Sequence, residues 1–559
     1  MAGRIRRLAY LVAAGALLTA PACTSKGAGA SDPTERTVKV AAVASGPFTH
    51  AFNPLIQGYG NANGYAGSSI FQPLLQDDFA NGKNRPWLAQ SFNWGQDGKT
   101  LTINVRSNVR WSDGKQLTSE DVAFTYDLLR RFPALNTQGF PLAGTGTAGS
   151  HTAVLRFTEP AFQIMWWRVP IVPKHLWEKV SDPVTFTNAN PVGSGPYRLK
   201  TFTPQVITLE RNPHYWQKNQ PVMKTVQYIS FESTSSMVAG LRAGDLDWIG
   251  PSSIDPRPIA KHDPSGIGYS VTKPSPAVIV LMPNLTRYPL DQPVVRKAIS
   301  LALDRQKVTE IGLSRQNEPV QSPTGLDIET RSDVLAPEYR ELRYGPGDPA
   351  EAARVLEVAG YRRGPNGIFR SPRGKPLSFE LMLPTTNPYA DLVRAAQVMT
   401  QQLRAAGIEI KVRAKAQVAW RTDTGLGNFD LTMRPLGGTL SVYDLFDRIF
   451  NQKLLLPAGK KVERNYERYK NPAAGQSLRL YASSPPDSAG EKQALAELQR
   501  LMVEDVPVIP MFFSAGVSLW RTDKVTGFPS ESDPYAVPLP NADNSEIVLA
   551  RLRPAPARN

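Results

Sequence analysis

A helix that stops at a glycine and runs straight into a strand recurs along this chain, and it constrains the fold more than any other feature. In "DLVRAAQVMTQQLRAAGIEIKVRA" (391–414) an amphipathic run stops at Gly407, and Ile408, Ile410 and Val412 then alternate at strand spacing. "STSSMVAGLRAGDLDWI" (233–249) predicts a helix ended by Gly244 and a short strand after it. "EKQALAELQRLMVEDVPVIPMFF" (491–513) repeats the theme, and "PAEAARVLEVAGY" (349–361) predicts a helix ended by Gly360. "QPVVRKAISLALDRQKVTEIGL" (292–313) predicts one long amphipathic helix with Pro293 in its first turn. "TLTINVR" (100–106) reads as a half-buried strand, and "LTSEDVAFTYDLLRRF" (117–132) opens a helix, with Thr118 at the N-cap and Asp121 three residues on. Helices alternating with strands predict α/β layers. The 49 prolines, spread throughout, predict many loops between them.

At 559 residues the chain is well past the ~250–300 at which a single core stops growing, so two or three domains are expected. The 41% hydrophobic content and 10 Trp are enough to give each its own core. With Cys23 as the one cysteine, no intrachain disulfide can form, and packing must supply the stability. The formal net charge of +15 does not gather into runs beyond pairs such as Arg130-Arg131 and Lys460-Lys461, which argues against a nucleic-acid partner.

Cys23 stands in "LTAPACTSKGAGASDP" (18–33), after "MAGRIRRLAYLVAAGALL", in which Arg4, Arg6 and Arg7 precede an apolar run. That is the layout of a secretory signal, too short to span a membrane, which takes about 20 apolar residues. The Ser/Gly/Ala/Thr composition after Cys23 is that of a flexible tether. The segment around Cys23 resembles a bacterial lipoprotein signal, in which the sulfur is lipidated, although Ala20 stands where such signals usually carry Leu. Ala20-Pro21-Ala22 also suits ordinary cleavage and release. Export is expected under either reading, with residues 1–22 removed and 23–37 as tether.

Several blocks together resemble the family 5 extracellular solute-binding proteins, the peptide-, nickel- and related-ligand receptors of ABC importers. They are "DGKTLTINVRSNVRWSDGKQLTSEDVAFTYDLL" (97–129), "NPVGSGPYRLKTFTPQVITLERNPHYW" (190–216), "GLRAGDLDWI", "VVRKAISLALDRQKV", "AARVLEVAGY", "QLRAAGIEIKV", "GNFDLTM" and "VEDVPVIPMFF", in the family's order. The resemblance implies a two-lobed periplasmic-binding-protein-like α/β fold with an inserted subdomain. Lobe I would be 38–54, 190–275 and 514–555, the insertion 55–189, and lobe II 276–513. It implies a monomeric receptor that clamps a solute, most readily an oligopeptide or dipeptide, and hands it to ABC permease subunits. A lipid on Cys23 would hold it to the membrane. Haem-like solutes, nickel complexes and sugars are alternatives within the family, and no cofactor is implied.

In the family's peptide receptors a carboxylate in the loop after the "FD" strand captures the ligand's amino group. Here that stretch is "FDLTMRPLGGTLSVYDLFDRIF" (429–450), and the acidic position falls at about Thr439, beside Gly437 and Gly438. With no acid there, Asp444 and Asp447 follow on an expected short helix, and Arg434 suits an anionic or N-blocked ligand. Asn53 and Tyr59 occupy a loop that lines the cleft in the family. Trp420 is a candidate to stack on a ligand, with core packing the blander reading, and Tyr466 and Tyr469 match a position near the cleft. Gly437 and Gly438 permit close backbone approach or simply make a turn.

Rival readings fare poorly. "GTGTAG" (144–149) has the spacing of a dinucleotide loop but lacks a preceding strand and a following helix. The five histidines are too scattered for metal-ligand spacing. Asp77-Asp78 and Asp245/Asp247 are the pairs a secreted hydrolase would have to use, and an envelope scaffold would have to use the basic surface.

Overall fold

The structure is a computed structural model. It describes residues 35–556 apart from 44–46, 57–61, 79–82, 165, 253, 264–265, 273–276, 314–316, 386–390, 438–440, 454, 531 and 543. Cys23, Tyr59, Gly438 and Thr439 therefore lie outside the described residues, as do the signal and nearly all of the tether.

A seven-stranded sheet runs Ile267–Thr272, Gly516–Arg521, Trp248–Ser252, Thr37–Val43, Thr225–Phe231, Val206–Arg211 and Tyr197–Phe202 in spatial order. The strand near the N-terminus lies in its middle, parallel to Thr225–Phe231 over seven residues. A six-stranded sheet runs Glu318–Pro319, Ile509–Phe513, Val278–Pro283, Leu431–Leu436, Ser378–Pro384 and Glu409–Lys415. Its strand "VIVLMP" is buried at every position. Ile279 and Leu281 face one apolar core, and Val278, Val280 and Met282 face another. A strand covered on both faces has no use for a polar alternate, hence the unbroken apolar run. Ser378–Pro384 and Glu409–Lys415 are parallel, joined by the helix Asp391–Ala405 with Gly407 at φ +77 between helix and strand. This is the crossover that the opening sequence pattern predicts.

A four-stranded antiparallel sheet, Ala89–Trp94, Thr100–Val105, Thr152–Phe157 and Leu142–Thr147, packs on the helix Ser119–Arg131. The Thr118 backbone N–H donates to the Asp121 carboxylate at 2.8 Å, as the capping pattern requires. "GTGTAG" falls largely within the edge strand Leu142–Thr147, so it forms no strand-to-helix loop.

The tight turn at "GSG" ties this region to the seven-stranded sheet. A Cβ on Gly195 would sit 2.3 Å from the Ser69 carbonyl oxygen, and one on Gly193 1.9 Å from that of Ile70. The turn lies flush on the end of the helix Asn63–Ile70, and Gly195 N–H donates to Ile70 O at 2.8 Å.

One expectation is corrected. Residues 292–313 do not form one helix. Pro293–Ala302 is helical, Leu303 is extended, and a short turn Arg305–Lys307 leads into a π-helical turn Val308–Gly312. Asp304 ends the run by capping the next turn, accepting from Lys307 N–H at 3.0 Å. The break seats buried Arg305, which donates to the carbonyls of Pro510 at 2.7 Å and Leu303 at 3.2 Å.

The chain passes between the seven- and six-stranded sheets twice, from Thr272 to Val278 and through Ser514-Ala515. The passages lie side by side, with Ser514 N–H donating to Ala277 O at 2.8 Å.

Candidate functional site

The half built on the six-stranded sheet meets the four-stranded region across a seam. Lys453 pairs with Glu159, Gln163 donates to Ser484 O and to Glu491, both at 3.1 Å, and Arg464 donates to Gln138. Two cavities open along this seam. One, about 690 Å³, is lined by Phe140, Glu159, Ile164, Tyr443, Asp444 and Arg464 among others. The second, about 540 Å³, is lined from one side by Pro54, Gln76 and Arg168 and from the other by Arg421 and Arg448. Gln138 lines both. Each volume lies in the range of small-molecule sites, ~300–1,000 Å³.

An ion cluster with members in both linings grows out of one short helix, Val442–Phe450. Ser441 caps it, accepting from Asp444 N–H at 3.2 Å. Asp444 and Arg448 are four residues apart and pair at 2.8 Å. Arg464 enters from a distant turn, 3.1 Å from Asp444 and 2.6 Å from Asp447. Burial pushes the Asp444 carboxyl up, but Arg448 and Arg464 beside it outweigh that and hold it below the ordinary value. Burial wins at Asp447, whose carboxyl is raised. Arg464 keeps a raised guanidinium pKa despite its own burial, because both aspartates face it.

The turn that delivers Arg464 is bent, with Asn465 at φ +49 and Arg468 at φ +62. These are left-handed conformations that side chains rarely adopt. The Asn465 amide holds the bend by donating to Tyr469 O at 2.8 Å and accepting from Tyr469 N–H at 2.6 Å. Gly437 faces the cluster, where a Cβ would come 2.9 Å from Asp444 Oδ2 and 3.2 Å from Arg448 Nε. Its bare backbone makes room for the ion pair.

The described candidate residues separate into four groups. Asp444 lines a cavity, and Gly437 backs it. Asn53 spends its side chain on the backbone, donating to Pro183 O at 3.0 Å and Phe186 O at 2.8 Å and accepting from Leu55 N–H at 3.0 Å. It fixes the loop from which Pro54 reaches the cavity wall. Trp420 and Tyr469 are core. Trp420 is buried and donates to Thr432 Oγ1 at 2.8 Å. Tyr469 is buried against Phe450, donates to Asp505 and accepts from Asn471 at 3.0 Å. Arg434 lies 3.9 Å over the half-buried Tyr466 ring and 5.0 Å from the Trp420 ring, and is in neither of these two linings.

Sequence reasoning passed over Gln138, Arg168, Arg421, Arg448 and Arg464. The i,i+4 spacing of Asp444 and Arg448 is a readable signal. The contact of Arg464 with Gln138, 326 residues away in sequence, is not. Asp247, half of an imagined catalytic pair, is buried and bound to Arg36 at 2.9 Å and to Lys39 N–H at 2.8 Å.

Two sheet-based halves, joined by adjacent crossings and enclosing cavities between them, define the two-lobed binding proteins. A model of the bacterial extracellular solute-binding proteins, family 5, matches residues 83–451, well over half of the sequence. The chain belongs to that family. It is 29% identical to Protein XP55 of Streptomyces lividans over 477 residues, covering 83% of this chain and 81% of that one. It is 24% identical to the periplasmic oligopeptide-binding protein OppA of Haemophilus influenzae over 470 residues, covering 79% and 82%. The fold matches that of a mannohexaose-bound periplasmic oligopeptide-binding protein of Thermotoga maritima, with a TM-score of 0.78, 22% identity, and 93% of this chain and 99% of that one covered. Such proteins are receptors of ABC importers. Among the described residues no helix is long and apolar enough to cross a membrane.

Proposed function

We propose that this chain captures a peptide-like solute between its lobes and passes it, chemically unchanged, to an ABC permease. The observation that carries the reading is the cavity lined from both halves, since a ligand touching both favours the closed form that a permease can recognise. The oligopeptide-binding relative supports a peptide, and an extended peptide backbone can be held whatever its side chains. The lobe boundaries proposed are those read from the sequence: 38–54, 190–275 and 514–555 for lobe I, 55–189 for the inserted subdomain, and 276–513 for lobe II. We assign Cys23 as the lipid attachment point and the monomer as the working unit. The ion pairing of Asp444 with two arginines supports a ligand whose amino terminus is not held there.

Native mass spectrometry of the purified protein tests the central reading. It should show one solute per chain, released intact on denaturation, while a hydrolysed product accumulating from an added solute would overturn it. Fractionation of cells carrying Cys23→Ser tests the anchor: the variant should move from membrane to soluble fraction, and unchanged partitioning would refute it.

A further inference from the structure

The larger seam cavity, about 690 Å³, lies where two apolar cores meet. Phe140 and Ile164 in its wall belong to the core of the four-stranded region. Phe450 and Leu478, in the wall from the other half, belong to a core of the six-stranded sheet. Tyr443, also in the lining, packs on both cores. The charged groups of this lining are already matched or turned to water. Lys453 pairs with Glu159, and Arg464 lies 3.1 Å from Asp444 and 2.6 Å from Asp447. Arg479 is exposed. The neutral polar groups are spent on the protein as well. Gln138 accepts from Arg464, Asn451 donates to Asp447 at 2.7 Å, Gln452 donates to Asn471 O, and Ser483 donates to Leu480 O at 3.1 Å. What such a wall still offers a guest is chiefly apolar surface, supplied from both halves.

Resting on the receptor reading, we propose that this cavity is an apolar subsite that takes an aromatic or branched aliphatic group of the captured solute. A group seated there removes its own surface and that of both walls from water. That gain is complete only when the halves are together, so the apolar group favours the closed form. The ligand class that follows is a peptide-like solute with at least one bulky apolar side chain, or another solute bearing an aryl or branched alkyl group. A charged group is disfavoured, because it would lose its hydration among charges that already have partners.

Calorimetry on the purified protein tests this with Ala-Ala-Ala beside Phe-Ala-Ala, Ala-Phe-Ala and Ala-Ala-Phe, and with methyl β-glucoside beside phenyl β-glucoside. An aromatic member should bind at least about ten-fold more tightly than its parent, with a more negative heat-capacity change, and the preference should survive raised salt. Whichever series shows it identifies the source of the apolar group. Ala482→Trp fills the space from one half, and Pro141→Asp sets a charge in the wall from the other. Each should cut the preference by about ten-fold. The melting temperature of the unliganded protein checks that each variant folds, and the comparison of probes in the unaltered protein stands without them. Equal binding within each series, a preference abolished by salt, or one untouched by the folded variants removes the apolar subsite and leaves the receptor standing. If no probe binds, the solute that co-purifies decides by mass spectrometry. A solute with a bulky apolar group supports the subsite, one without it removes the subsite alone, and no solute at all removes both.

Discussion

Glu467 is the most exposed to pH of the groups near the cluster, although it is fully buried. Burial pushes its pKa up to about 8, against the pull of its own backbone N–H and, more weakly, of Arg434 and Arg468. A carboxyl raised in the folded state binds its proton there after the unfolded chain has lost it. Its contribution to stability is therefore complete below about pH 4.3 and is lost as pH climbs through about 8. Glu467→Gln should raise the melting temperature by several degrees at pH 8, do little at pH 5, and flatten the slope between; scanning calorimetry across that range checks it.

Trp420 gives a second expectation at this scale. Phenylalanine there loses the bond to Thr432, while Thr432 still donates to Met382 O at 2.8 Å. Trp420→Phe should cost about 1–2 kcal/mol of stability and leave solute affinity within about two-fold; a large affinity loss in calorimetry would return Trp420 to the ligand.

Among the elements, the "GSG" turn has the least freedom. A methyl at residue 195 would collide with backbone instead of a movable side chain, so Gly195→Ala should destabilise by about 1–3 kcal/mol in urea melts. The helix Asp391–Ala405 with its following strand was legible beforehand, because apolar spacing and a capping glycine agree. The break at Leu303 was not legible. Helical spacing runs on through Arg305, and the side chain's destination, the Pro510 carbonyl, lies 205 residues away. The site divides in the same way. Asp444 and Arg448 belong to one helix and can be read locally. Arg168, Arg421 and Gln138 become neighbours only after distant segments fold together. Asn53, Trp420 and Tyr469 cannot be assigned from sequence, because the residue types suited to holding a ligand are also those that buttress a loop or fill a core.

At the scale of the whole molecule, several polar contacts cross the seam, beside the packing of Tyr443 on the core of the four-stranded region, and exposed polar pairs suit a joint that must reopen. Lys453 and Glu159 are both substantially exposed, at 58% and 41% of the side chain, so their pair is worth at most about 1 kcal/mol and is screened by salt. Lys453→Glu places like charges across the seam. The unliganded protein should then show a larger radius of gyration by small-angle scattering at low salt and recover its dimensions at high salt. Unchanged dimensions would mean that this contact does not help set the balance between open and closed forms.

The neighbouring strands of chain at Ala277 and Ser514, bonded to each other, leave the halves little choice of movement. A single strap would let one half twist freely beneath the other, whereas two straps fastened together confine the swing to nearly one axis. Any guest then meets the same jaws arriving along the same arc, and the silhouette offered to the membrane machinery is set by the straps more than by the guest.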